Sequence, residues 1–258
     1  MVSGTPRLRK LIVKGEASEN DGIVGELSCL ELVQDTLTHL ELRHCGCVEG
    51  SIADLGNFPR LECLDLRGTR GIEKDDFIAQ RSSFPSLKDL DGWTYSDIAS
   101  DLSQRSIEFT FDRLESLLIE VDSFSLSLLR FVPNLRSLIC SEETHVEGDL
   151  RDLRFLRSTL CTLDLGVLEQ DVTGSFGDIR DFPILRHLNL WGCNKLSPAS
   201  PSLCPSDFPS LKTFDGHVRL SFVAEASSLM QLLACRGVID VINASISASV
   251  TKESPDFY

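Results

Sequence analysis

The 258-residue chain predicts an α/β fold, a single repeat-built solenoid in which short parallel strands stack in chain order. Three observations carry that prediction. A six-position word with apolar residues at its first and fourth places, and at the sixth in most copies, recurs along the chain. A second word, an aliphatic residue two places ahead of a glycine, sits between copies of the first. A Phe-Pro pair stands just ahead of several copies of the first word.

The first word reads LRKLIV from Leu8, LTHLEL from Leu37, LECLDL from Leu61 and LKDLDG from Leu87. It continues as LESLLI from Leu114, LRSLIC from Leu135, LCTLDL from Leu160, LRHLNL from Leu185 and LKTFDG from Leu211. Successive starts lie 21 to 29 residues apart, and a weaker tenth copy (VIDVIN) starts at Val238. A period in the twenties marks a stacked architecture, because one unit is too small to bury its own leucines. Each word is read as a strand. Its first, fourth and sixth positions face the core, and its third, fifth and seventh face the opposite side.

The second word appears as Ile23-Val24-Gly25, Val48-Glu49-Gly50, Val146-Glu147-Gly148 and Val172-Thr173-Gly174, and the last three run on to Asp54, Asp152 and Asp178. It is assigned to the return side of each unit, with glycine allowing a tight turn. Phe58-Pro59, Phe84-Pro85, Phe182-Pro183 and Phe208-Pro209 precede strand words, and Val132-Pro133 fills the same place. Proline fixes φ where the chain turns back into the strand.

A longer period lies over the short one. FPSLKDLDGW from Phe84 returns 124 residues on as FPSLKTFDGH, and DTLTHLEL from Asp35 returns 123 residues on as STLCTLDL. Residues 8–131 and 135–258 read as a duplicated block within one domain spanning 1–258. The segments 94–112 and 197–207 read as enlarged loops, and 248–258 as a polar tail.

These words resemble the leucine-rich repeat family, and the stretch from Leu37 to Arg60 resembles its longer plant and algal type. The resemblance implies a right-handed superhelix or horseshoe of about nine to ten repeats, with the parallel sheet on the concave face. Return segments are left as α, 3₁₀ or irregular. The family's asparagine after the strand is Cys45, Thr69 or Cys193 in three units; Tyr95, Glu143 and Leu168 stand there in others.

Composition narrows the function. Lys and Arg total 25 against 39 Asp and Glu, a formal charge of −14. That balance argues against nucleic acid or an anionic membrane surface as partner. No apolar run approaches the ~18 residues of a membrane span, and no apolar stretch follows the basic residues near Met1. Nine scattered cysteines, an odd number, suit reduced thiols. The expectation is an intracellular, cytoplasmic protein without membrane insertion.

The concave face is expected to carry function. Its fifth-position column includes Glu41, Asp65, Asp91, Asp164, Asn189 and Asp215, and its seventh includes Arg43, Arg67, Trp93, Trp191 and His217. In the first block, Arg43 and Arg67 stand beside Glu41 and Asp65, so this row is read as neutralising itself. In the second block Gly166, Trp191 and His217 stand beside Asp164, Asn189 and Asp215. Indoles are over-represented among residues that dominate binding energy. Trp93, Trp191, Asp164 and Asp215, with His217, Asn189, Glu41, Asp65 and Asp91, are therefore candidate contacts for a protein partner offering a basic or amphipathic segment. Leu118 and Ile139 form an apolar spot on the same face, as packing or as an anchor.

Catalytic motifs are not found: no phosphate loop, no nucleophile elbow, no paired-histidine zinc motif. His44-Cys45-Gly46-Cys47 is too tight and lacks a second pair for zinc. No cofactor, metal or catalytic residue is expected. The resemblance implies non-enzymatic protein recognition. The alternative is the ligand-sensing or substrate-recognition part of a larger receptor, immune-type protein or ubiquitin-ligase adaptor.

Overall fold

A computed structural model describes residues 7–15, 24–73, 83–93, 111–119, 123–142, 144–166, 170–197 and 207–215. The tenth word at Val238, His217, most of the two enlarged loops and the tail lie outside the described residues. In chain order the strands are β1 (Lys10–Lys14), β2 (Gly25–Glu26), β3 (His39–Arg43), β4 (Val48–Ser51), β5 (Cys63–Asp65), β6 (Ile72–Glu73) and β7 (Asp89–Trp93). They continue as β8 (Ser116–Ile119), β9 (Ser123–Ser125), β10 (Ser137–Cys140), β11 (His145–Asp149), β12 (Thr162–Asp164), β13 (Asp171–Thr173), β14 (His187–Asn189) and β15 (Thr213–Asp215).

The architecture is α/β with a nine-stranded parallel sheet ordered β1-β3-β5-β7-β8-β10-β12-β14-β15. All nine strands come from the leucine words, and the predicted register holds. Third position pairs with third across the sheet, from Lys10 with His39 to His187 with Thr213. The single slip is at the end of β7, where Trp93 pairs with Ile119.

The predicted inward positions make the core. Leu37, Leu40, Leu61, Leu64, Leu135, Leu138, Leu160, Leu163, Leu185 and Leu188 are all buried. At ~25 cal/mol per Å² of apolar surface, each such side chain contributes about 2 kcal/mol relative to exposure. The first word departs from this: Leu8 is 40% exposed, and Leu11 and Val13 are only partly buried. β1 pairs with β3 alone, so its leucines have a packing neighbour on one side. The phenylalanines before proline are core residues too, and Phe58 and Phe84 stack at 6.4 Å between ring centroids.

The glycine words differ from expectation. They form strands rather than turns alone, in two three-stranded parallel sheets, β2-β4-β6 and β9-β11-β13. Val48, Val146 and Val172 point inward and are buried. The extended backbone that places them is then brought alongside its counterpart in the next unit, and the two pair. The glycine remains necessary. Gly50, Gly148 and Gly174 have φ of 124°, 125° and 101°, which L side chains rarely adopt.

Helical segments among the described residues are 3₁₀: Leu27–Val33, Ile52–Leu55, Leu126–Phe131, Leu150–Leu156 and Phe176–Asp178. The aspartate after the glycine word explains three starts. At Ser51, Asp149 and Ser175 the side chain accepts an N–H from inside the segment, while Asp54, Asp152 and Asp178 reach back to the N–H of the cap residue. This reciprocal box satisfies two donors that the helical start leaves open.

The turn after the strand holds small buried polar groups. The Cys45 thiol is buried, near the Arg43 carbonyl at 3.4 Å, and the Thr69 hydroxyl donates to the Leu66 carbonyl at 2.5 Å. Where the sequence points to Glu143, the structure uses Thr144, one residue later. Its hydroxyl donates to the Ile119 carbonyl at 3.1 Å. In the next unit Gln170 does the work: its Nε2 donates to the Thr144 carbonyl at 3.0 Å, and its Oε1 accepts from the Val146 N–H. Among the described residues no helix is long and apolar enough to cross a membrane.

Candidate functional site

The nine-stranded sheet has one face turned to the core and one turned away. The outward face carries the third, fifth and seventh positions, so every described candidate residue belongs to one surface. In-register parallel pairing sets equivalent side chains on neighbouring strands ~4.8 Å apart.

Across β1, β3, β5 and β7 this surface is a ladder of alternating charge. Lys10 meets Glu41 at 3.5 Å, Glu41 meets Arg43 at 3.3 Å, and Arg43 meets Asp65 at 2.5 Å. Arg67 then holds Asp65 at 2.7 Å and approaches Asp91 at 3.8 Å. The expected self-neutralisation is present, and it runs between strands as well as within them.

Asp65 is the centre of the ladder. Its side chain is 1% exposed. Burial pushes its carboxyl up, but hydrogen bonds from Arg67 and Arg43 and the Arg67 charge outweigh that, and the group sits below its ordinary value. Asp91, one strand on, goes the other way. Burial, then repulsion from Asp65, outweigh the more distant pull of Arg67, and its pKa rises to about 6. Asp89 is raised for similar reasons, burial first and Glu115 second. Between His39 and Asp89 lies Cys63, whose thiol is pushed up to about 11 by burial and then by Asp89. A thiol so raised stays protonated and is a poor nucleophile. No group of three or more metal-ligating side chains is assembled among the described residues.

Across β8, β10, β12 and β14 the surface changes character. The third position is Ser116, Ser137, Thr162 and His187; the fifth is Leu118, Ile139, Asp164 and Asn189. Leu118 and Ile139 are half-buried and adjacent, in register. Asp164 accepts the Gly166 N–H at 3.0 Å, and Asn189 accepts the Trp191 N–H at 3.0 Å. Asp65 makes the same bond to the Arg67 N–H at 3.1 Å. These are Asx turns, and they explain why β5, β12 and β14 stop at the fifth position. There the side chain takes the N–H that the ladder would use. Where the fifth position is Ile12, Glu41 or Ile139, the strand runs on.

Gly166 has a specific reason as well. A Cβ there would fall 2.0 Å from the Asn189 side-chain nitrogen, so the glycine makes room for its neighbour's amide. Trp191 is half-buried rather than standing exposed beside it. Trp93 ends β7 at the register slip, and Asp215 ends β15 opposite Asn189. The side chains of Trp93 and Asp215, and His217 entirely, lie outside the described residues. Sequence reasoning placed the fifth-position acids on this face but missed that Asp65, Asp164 and Asn189 end their strands, while at Asp91 in the same position β7 runs on to Trp93. No protein-family model, curated protein or solved structure matches the chain.

Proposed function

We propose that the chain is a non-catalytic protein-recognition module of the leucine-rich repeat type. In this reading it is one solenoid domain of nine to ten repeats, a right-handed superhelix whose nine-stranded sheet lines the concave wall. The partner lies along that wall and offers a basic or amphipathic segment. The observation that carries the reading is the outward face of the sheet. It is continuous over nine strands, and from β8 to β14 its fifth and seventh positions offer half-buried aliphatic, amide, carboxylate and indole groups within reach of one extended segment. The chain's charge of −14 favours a cationic partner.

The test begins with affinity capture on the wild-type chain and identification of bound proteins by mass spectrometry. A purified partner is then titrated against Trp191→Ala and Asp164→Lys. Both substitutions should weaken binding by about tenfold or more, while Arg60→Ala, away from this face, should leave it unchanged. Full affinity in both face variants defeats the proposal.

A further inference from the structure

A second surface, on the 3₁₀ side of the molecule, points to self-association. The segments Leu27–Val33 and Leu150–Leu156 are each seven residues long and start 123 residues apart. They therefore occupy equivalent places in two units whose strands, β1 and β10, lie five positions apart in the sheet. Both bury their first leucine and both push one large apolar side chain outward at the sixth place: Leu32 is 78% exposed and Phe155 is 41% exposed.

The flanking charges are opposite. Around Leu32 stand Glu26, Glu31 and Asp35, all exposed. Around Phe155 stand Arg151, Arg154 and Arg157, all exposed, with Arg130 on the neighbouring segment. The acids nearest these arginines are engaged locally. Asp149 and Asp152 form one capping box, and Asp178 forms another while accepting both Arg151 at 3.4 Å and Arg154 at 2.9 Å. Four arginines against these three aspartates leave the patch a small positive excess in a chain that is strongly anionic overall.

We propose that the Arg151–Arg154–Phe155–Arg157 patch of one molecule docks on the Glu26–Glu31–Leu32–Asp35 patch of a second copy. A twofold arrangement makes this contact twice, since each copy contributes one patch of each kind. Exposed charges supply orientation and salt sensitivity more than affinity, and the two apolar side chains supply the anchor. This surface is separate from the outward face of the sheet, so dimerisation and partner recognition can be tested apart.

Sedimentation equilibrium is run on the full chain at up to about 200 µM, which reads contacts of micromolar strength. A dimer is expected that weakens between about 0.1 M and about 1 M salt, as the screening length falls from about 10 Å to about 3 Å. Glu31→Arg alone and Arg154→Glu alone should each be monomeric, because both contacts then oppose like charges. An equimolar mixture of the two should dimerise again, because every contact in the mixed pair joins opposite charges. Leu32→Asp, at a site too exposed to disturb folding, should also be monomeric. A monomeric wild type, single variants that still dimerise, or a mixture that stays monomeric would each overturn the proposal.

Discussion

The two halves of the outward face use the same strands to different ends. From β1 to β7, each fifth-position acid is met by an arginine or lysine on its own or a neighbouring strand, so the surface spends its charge on itself. From β8 to β14, the same position holds Leu118, Ile139, Asp164 and Asn189, and the polar members turn back onto their own backbone. One half is therefore stiffened by side-chain pairs between strands, and the other by strand-ending turns within each unit. A structural role sits in both. In the second half Leu118, Ile139 and Trp191 stay half open, whereas among the described residues of the first half the open apolar group is Ile12, on the end strand.

The largest test of that contrast is Asp65→Ala. It strips the shared acceptor from two guanidiniums at a sealed site, and urea denaturation should show a loss of about 3 kcal/mol. The arginines are partly exposed and recover some hydration, which keeps the figure at the lower end for a broken buried pair. Asp164→Asn, at a fifth position of the second half, keeps an oxygen for the Gly166 N–H and should change stability by less than about 0.5 kcal/mol. Equal losses at the two sites would erase the distinction.

Next in size is Asp91. Its unfolded carboxyl releases a proton near the ordinary value of 3.8, and the folded group near 6. The folded protein thus holds an extra proton between those values, and this group's contribution to stability falls as pH climbs through that window. Asp65 acts in the opposite sense: its contribution is present above the ordinary value and is lost as pH falls below it. Asp91→Asn should remove the decline between about pH 4 and pH 6 and raise stability at neutral pH by about 1–2 kcal/mol. Denaturation midpoints measured across that range check both signs.

Gly166→Ala should cost about 1 kcal/mol by driving a methyl into the Asn189 amide, and much less in an Asn189→Ala background, where the amide is gone. The smallest effect is expected from Lys10→Ala at the exposed end of the ladder, about 0.3 kcal/mol or less. A larger cost there would mean that the ladder acts as one cooperative unit.

The strand words were legible because burial enforces period-two alternation, and a slip of one residue would have exposed every leucine. The self-neutralising charges were legible for the same reason within strands, since alternation puts Arg43 on the face of Glu41 and Arg67 on that of Asp65; the diagonal bond from Arg43 to Asp65 on the next strand was not. In the turns, Cys45 and Thr69 stand where the spacing put them, but the groups that serve where it pointed to Glu143 and Leu168 were not legible. Ile139 does not end its strand, so β10 runs on to Cys140, one residue past where β12 and β14 stop in their own words, and the buried hydroxyl arrives at Thr144 instead of residue 143. Gln170 reaches its acceptor by side-chain length, which spacing alone does not encode. The glycine words were read as turns because two to five residues of strand carry too little alternation to register. Their pairing appears only once neighbouring units are stacked.

The reciprocal boxes at Ser51, Asp149 and Ser175 have a bearing on how such a chain can grow. Each is closed by residues three apart within one unit, although Asp178 also accepts Arg151 and Arg154 of the unit before. A copied length of sequence that contains one carries its own instruction for where the return path begins, so added coils need only match their neighbours' leucines. The freedom left over falls on outward positions such as Leu32 and Phe155, whose neighbours in sequence differ in charge while the buried leucines beside them are kept.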